Sequence, residues 1–293
     1  MAPISPIRPR ADQLAATLPP LLVAAERVAA TVAQGLHGRR RVGQGDSFWQ
    51  FRQYEPGDAA QRIDWRESAK SQRLYVRETE WEAAQSVWLW RDASASMDYA
   101  SSGTLPHKRA RAELLMIALA ALLARGGERV SLLGSGLPPL TGRLAVGRIA
   151  ELVERPSGAD SASLPAFEPL PRHACLVLFG DFLSPLAEIQ AVVARFAAAG
   201  LRGHLLQILD PAEETLPFDG RVRFAGLEET SEILIGRVEA IRADYLGRLA
   251  AQREGLAAIA RSAGWSLAGH RTDHPPQTAL LALYAALARP RGR

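Results

Sequence analysis

An α/β fold built on a parallel sheet with helices on both faces is predicted by three features of the sequence. From residue 86 onward, short apolar runs alternate with longer stretches of helical periodicity. Several of the short runs are continuously apolar, as strands buried on both faces must be. Two of them end in an aspartate, Asp92 and Asp181, and α/β sheets collect ligands at the carboxyl ends of their strands.

The elements follow in order. Residues 1–20 are rich in proline and alanine and read as a flexible arm. Residues 21–85 read as a helix over 21–35 followed by a β-rich elaboration packed on the main domain, because Gly43, Gly45, Pro56 and Gly57 punctuate a stretch rich in charges and aromatics. Residues 86–293 form the main domain. Strands are expected over 86–91, 129–133, 174–179, 204–209 and 265–268. Helices are expected over 108–125, 144–154, 186–199, 237–263 and 277–288. A small hairpin insert falls near 218–235. Glycine pairs or single glycines close the helices at Gly126–Gly127 and Gly200.

Composition narrows the function classes. The chain has 293 residues, 47% hydrophobic and 23% charged, which is enough apolar matter for a sizeable core. Its single cysteine, Cys175, excludes an intramolecular disulfide and a cysteine metal cluster. No apolar leader follows the start, and the longest strongly apolar run, 114–124, is too short to span a bilayer, so a cytoplasmic protein without a membrane span is expected. The net charge of +4 and the run Arg39, Arg40, Arg41 are read as a solvated turn, with no nucleic acid expected. Six scattered histidines offer no helical ligand pair, since Pro275 and Pro276 put His270 and His274 on a loop. Neither a phosphate-cradling Walker loop nor a nucleophile elbow is present.

The chemistry concentrates in Asp92-Ala93-Ser94-Ala95-Ser96-Met97. A carboxylate followed by two alternating hydroxyls can turn three oxygens toward one point, and hard divalent cations take oxygen ligands. Asp181 can add a second carboxylate, and Thr141, before Gly142, is the best-placed further hydroxyl. This loop resembles the metal-ion-dependent adhesion site of von Willebrand factor A domains. The resemblance implies that Asp92, Ser94, Ser96, Asp181 and Thr141 surround Mg²⁺ (or Mn²⁺), with one position open to a carboxylate of a partner. It also implies a Rossmann-like von Willebrand factor A-type sheet.

A second block precedes it: Phe51-Arg52-Gln53-Tyr54-Glu55-Pro56-Gly57-Asp58, Arg62-Ile63-Asp64-Trp65 and Ser68-Ala69-Lys70. By its own residues, Asp58, Arg62, Asp64 and Arg66 could form an ion-pair lattice with Trp65 buried beside it. With Arg52 and Tyr54 the block is then either a structural clasp or a partner-binding surface. The block, followed by D-x-S-x-S-M, is similar to the bacterial family catalogued as domain of unknown function 58. That similarity implies an adaptor or chaperone-like partner of a MoxR-type AAA+ ATPase or of its client. The expected function is therefore a metal-dependent protein-binding module and not an enzyme. A metal-dependent, phosphatase-like hydrolase and a nucleic-acid-binding protein are the alternatives.

Overall fold

A computed structural model of the chain describes residues 42–43, 47–55, 63–70, 73–80, 86–153, 162–227 and 232–288. The expected arm over 1–20 and helix over 21–35 lie outside the described residues. The chain divides into two compact units, one holding residues 86–287 and the other residues 42–80.

In the smaller unit, β1 (Val42–Gly43), β2 (Ser47–Gln53) and β3 (Tyr75–Glu80) form an antiparallel sheet in the order β1-β3-β2. A short helix, α1 (Trp65–Ser68), precedes β3. Asp64 starts it as N-cap, its carboxylate accepting from the Glu67 N–H at 3.0 Å. Ser68 ends it, its buried hydroxyl accepting from the Tyr75 N–H at 2.8 Å.

In the larger unit, five strands lie parallel in the order β10-β7-β6-β4-β5. They are β4 (Ser86–Arg91), β5 (Arg129–Leu132), β6 (Cys175–Gly180), β7 (Arg202–Leu209) and β10 (Ser266–Arg271). The strand period of two sorts their side chains into two cores. Cys175, Val177 and Phe179 of β6 join Val87 and Leu89 of β4 and Leu206 and Ile208 of β7 on one face. Leu176 and Leu178 join Trp88 and Leu205 on the other. The first face is covered by α2 (Lys108–Arg125), α3 (Gly142–Val153) and α7 (Pro276–Ala288); the second by α4 (Leu186–Ala198) and α6 (Val238–Ser262). The middle of α2 is apolar all round because it is buried all round. One-turn α5 (Pro211–Thr215) follows β7, and β8 (Val222–Ala225) with β9 (Glu232–Ile235) forms the predicted hairpin insert.

The predicted α/β sheet is therefore the observed one. The expected strand over 86–91 and helix over 108–125 coincide with β4 and α2, the other expected sheet strands and covering helices shift by three residues or fewer at their ends, and α5 was not expected.

One glycine is fixed by packing rather than by backbone angle. A Cβ built on Gly203, in β7, would lie 2.1 Å from the ring of the buried Trp265. Neither a backbone in a central strand nor a buried indole can give way cheaply. Gly203→Ala should lower stability by about 2–3 kcal/mol through overpacking, measured by urea unfolding.

Candidate metal centre

Sequence order and sheet order together locate a crevice. From β4 the chain runs to β5 on one side and then returns through β6 on the other side of β4. Such a reversal leaves an opening outside the carboxyl ends of the two strands between which it occurs. Asp92 follows β4 and Asp181 follows β6, so the two carboxylates flank that opening. The Asp92 N–H donates to the Phe179 carbonyl at 2.7 Å, continuing the ladder into the loop. Gly180 leaves room for the side chain: a Cβ there would stand 3.1 Å from the Asp92 Cβ.

The loop after Asp92 is held from within. Asp92 Oδ1 accepts from the Ser94 N–H at 2.8 Å, which folds the chain back on itself. Ala95–Met97 makes a 3-10 turn, and its Met97 side chain is fully buried as an anchor. The Arg109 guanidinium donates to the carbonyls of Ala93 and Ser94 at 3.1 and 3.2 Å. Held this way, the Ser94 and Ser96 hydroxyl oxygens lie 3.0 Å apart, and Ser96 Oγ donates to Asp181 Oδ2 at 2.8 Å. Ser96 spends its one hydroxyl hydrogen on Asp181, so Ser94 is the donor between the two serines. Four of the five residues expected as ligands, Asp92, Ser94, Ser96 and Asp181, are thus brought together; all but Ser96 are buried.

Thr141 is not brought there. After β5 the chain turns back, and Leu140 pairs antiparallel with Val130 near the amino end of that strand. Thr141 follows Leu140, is exposed, and sits at the end of the sheet opposite Asp92. The turn-back explains the misplacement, since a hydroxyl shortly after a strand belongs to the carboxyl edge only if the chain stays there.

The structure adds groups that the motif did not point to. Lys108, the first residue of α2, is fully buried. Its Nζ donates to Asp181 Oδ2 at 2.9 Å and to Glu213 Oε1 at 2.6 Å. Burial opposes the ammonium charge, but Asp181 and Glu213 outweigh it and hold the Lys108 pKa above its usual value. Glu213 belongs to α5, where it completes a capping box with Asp210: the Asp210 N–H donates to Glu213 Oε2 at 2.8 Å, and the Ala212 N–H to Asp210 Oδ1 at 2.8 Å. Asp210 Oδ2 also accepts from the Ser101 N–H at 3.0 Å, and the Tyr245 hydroxyl donates to the Glu213 carbonyl at 2.6 Å. Tyr99 and Tyr245 are both pushed up, by burial first and then by Asp210 or Glu213. Asp181, Asp210 and Glu213 thus gather around the buried Lys108 ammonium at these strand ends.

Lys108 had a signal in the sequence. A helix opening Lys108-Arg109-Ala110-Arg111 sets cations against the positive end of the helix dipole, and no acidic residue offsets them in the first turn. Such an arrangement persists when the cations have partners elsewhere, as Lys108 has in Asp181 and Glu213. Glu213 was equally readable as the far end of Asp210-Pro211-Ala212-Glu213.

The donor set suits a hard divalent cation: two carboxylates and two hydroxyls, all oxygen. Among the described residues no three His, Cys, Asp or Glu side chains come together as metal ligands. An ion at this crevice would accordingly depend on the serine oxygens as well as on Asp92 and Asp181. His270 and His274 form no such site, since His270 is buried at the end of β10 and His274 is exposed beyond it.

The upstream block departs from the expected clasp. Asp64 spends its carboxylate capping α1, and Trp65 is 66% exposed rather than buried. Arg66 is exposed, and Tyr54 is half-buried. Capping explains the outcome: the turn that satisfies Asp64 and Ser68 points the indole outward. Asp58, Arg62 and the Arg52 side chain lie outside the described residues.

A family model described as protein of unknown function DUF58 matches residues 50–255. The uncharacterized protein Mb1516 of Mycobacterium bovis is 28% identical over 278 residues, covering 89% of this chain and 86% of its own. The uncharacterized protein Rv1480 of Mycobacterium tuberculosis matches to the same extent. Among solved structures, an aerotolerance-related membrane protein from Bacteroides fragilis shares 17% identity over 69% of this chain and 98% of its own, with a TM-score of 0.43. The conserved hypothetical protein BatB from Bacteroides thetaiotaomicron shares 13% over 70% and 98%, with a TM-score of 0.41. Among the described residues of the present chain, no helix is long and apolar enough to cross a membrane.

Proposed function

The chain belongs to the DUF58 family, and from that premise we propose that it is a metal-dependent protein-binding module of the von Willebrand factor A type. The observation that carries this reading is the convergence of Asp92, Ser94, Ser96 and Asp181 at the one crevice the strand order creates. These four residues would hold Mg²⁺ or Mn²⁺. The ion supplies concentrated positive charge that an acidic side chain of a partner can meet. Asp92 and Asp181 set the charge of the site, Ser94 and Ser96 fix its shape, and Arg109 keeps the loop backbone in place.

A binding role fits these residues better than a hydrolytic one. The Ser96 hydroxyl is hydrogen-bonded to Asp181, and Asp181 is bound to a buried ammonium. Asp181 Oδ2 is already shared between those two donors, which leaves it poorly placed to take a further proton from a water. His107, the nearest histidine in sequence, pairs with Asp98 on the exposed surface at 2.8 Å. The nucleic-acid alternative rested on Arg39 to Arg41, which lie outside the described residues.

The partner class comes from the family resemblance of the upstream block: a MoxR-type AAA+ ATPase or its client, met in the cytoplasm. Exposed Trp65 gives that block an aromatic anchor of the sort that dominates protein interfaces.

Calorimetric titration of Mg²⁺ and Mn²⁺ into the chelator-treated chain tests the reading. Native protein should bind one ion saturably. Asp92→Ala, folded by circular dichroism, should bind at least about tenfold more weakly. Equal affinity in the two proteins would remove the proposed centre.

A further inference from the structure

We infer that Lys108 is a built-in cation that competes with the divalent ion for Asp181 and thereby sets how tightly the centre is filled. The inference rests on reading Asp92, Ser94, Ser96 and Asp181 as the ion's ligands.

Its basis is the valence of one oxygen. Asp181 Oδ2 already accepts from Ser96 Oγ at 2.8 Å and from Lys108 Nζ at 2.9 Å, and Asp181 Oδ1 accepts from the Leu183 N–H at 3.2 Å. A dication bound to this carboxylate must share it with an ammonium a few ångströms away. In a buried setting, like charges at such range repel strongly. The Lys108 side chain is 1% exposed, so its charge cannot retreat into water.

It can retreat to Glu213. The 2.6 Å contact to Glu213 Oε1 gives the ammonium a second acceptor, and α5 holds that acceptor through the capping box. Ion entry would trade the Lys108–Asp181 bond for an ion–Asp181 bond and leave Lys108 on Glu213. With Lys108 matched by Glu213, the two crevice carboxylates, Asp92 and Asp181, are left to balance the dication. The resting chain is thus poised at low ion affinity, because Lys108 must give up Asp181 before the ion can take it.

The two acceptors make the inference testable with opposite signs. Removing the competitor in Lys108→Met should tighten Mn²⁺ binding by about tenfold or more. Removing its refuge in Glu213→Gln should weaken Mn²⁺ binding, because the ammonium then leans on Asp181 alone. Both are measured by calorimetry on the chelator-treated full chain, with unfolding curves to establish folding. Adding Asp92→Ala to Lys108→Met should cancel the gain, which places it at this centre.

Folded Lys108→Met with native or weaker affinity would overturn the competition while leaving the ion site intact. Should Lys108→Met not fold, Glu213→Gln decides alone, and native or tighter binding overturns the inference. If neither native protein nor Lys108→Met binds Mn²⁺, the ion site itself falls, and the inference falls with it.

Discussion

Asp181→Ala should cost about 3–4 kcal/mol of folding stability even with every divalent ion chelated, because it breaks a buried ion pair from one side. Lys108 would remain buried with its charge and keep only Glu213. Ser96 Oγ and the Leu183 N–H would also lose their acceptor. The ammonium is the expensive part, since burying a charge is tolerable only when hydrogen bonds and an opposite charge replace its water. Changing Lys108 to methionine in the same protein should therefore recover part of the loss. The cycle of native, Asp181→Ala, Lys108→Met and the double variant, measured by urea unfolding in chelator, should show a coupling of about 1–3 kcal/mol. Additive losses would mean that the contact at 2.9 Å contributes little. The cycle is independent of the ion-binding experiments, and it examines the scaffold on which any ion would sit.

The fold was legible because its signals are periodic and repeated. The apolar strand 174–179 and the helix 108–125 declare themselves by composition alone, and the glycines beyond the helices mark their ends. The centre was legible to the extent that it lies within one loop. Asp92, Ser94 and Ser96 are neighbours in sequence, and Asp181 shares their signature of an aspartate closing a strand. Position within a fold is harder to read than sequence proximity. Thr141 fails because the Leu140–Val130 pairing carries the chain back down the sheet, a tertiary event with no local mark. Trp65 fails for a different reason: aromatic character suggests burial, but the Asp64 cap orients the short helix and leaves the ring outside. Lys108 was overlooked because a lysine opening a helix looks solvated. Its adverse position against the helix dipole was the available clue.

Stability should fall as pH drops from about 6.5 toward 4, and two histidines carry the largest identifiable share. His270 is held down to about 4 by burial, with Arg111 and His274 adding to the effect. His204 is held down to about 4 by burial and then by Arg202, with its Nδ1 2.6 Å from the Ser266 hydroxyl. The unfolded chain protonates these rings near 6.5, whereas the folded chain resists until about 4. Below 6.5 the unfolded state therefore binds more protons, stability declines, and the loss levels off once the folded rings charge as well. By linkage each ring should contribute up to about 3 kcal/mol. That is a large fraction of the 5–15 kcal/mol typical of a folded protein. Carboxylates titrate in the lower half of the same window, so the comparison must be between native and variant chains. His270→Asn and His204→Asn should each flatten the slope of unfolding free energy against pH between 6.5 and 4. Variants that keep the native slope would show that the rings are protonated in the folded state without penalty. The cations beside both rings argue for the opposite result, because Arg202 acts against charging His204, and the pull of Asp273 on His270 is smaller than the opposing effects of burial and Arg111.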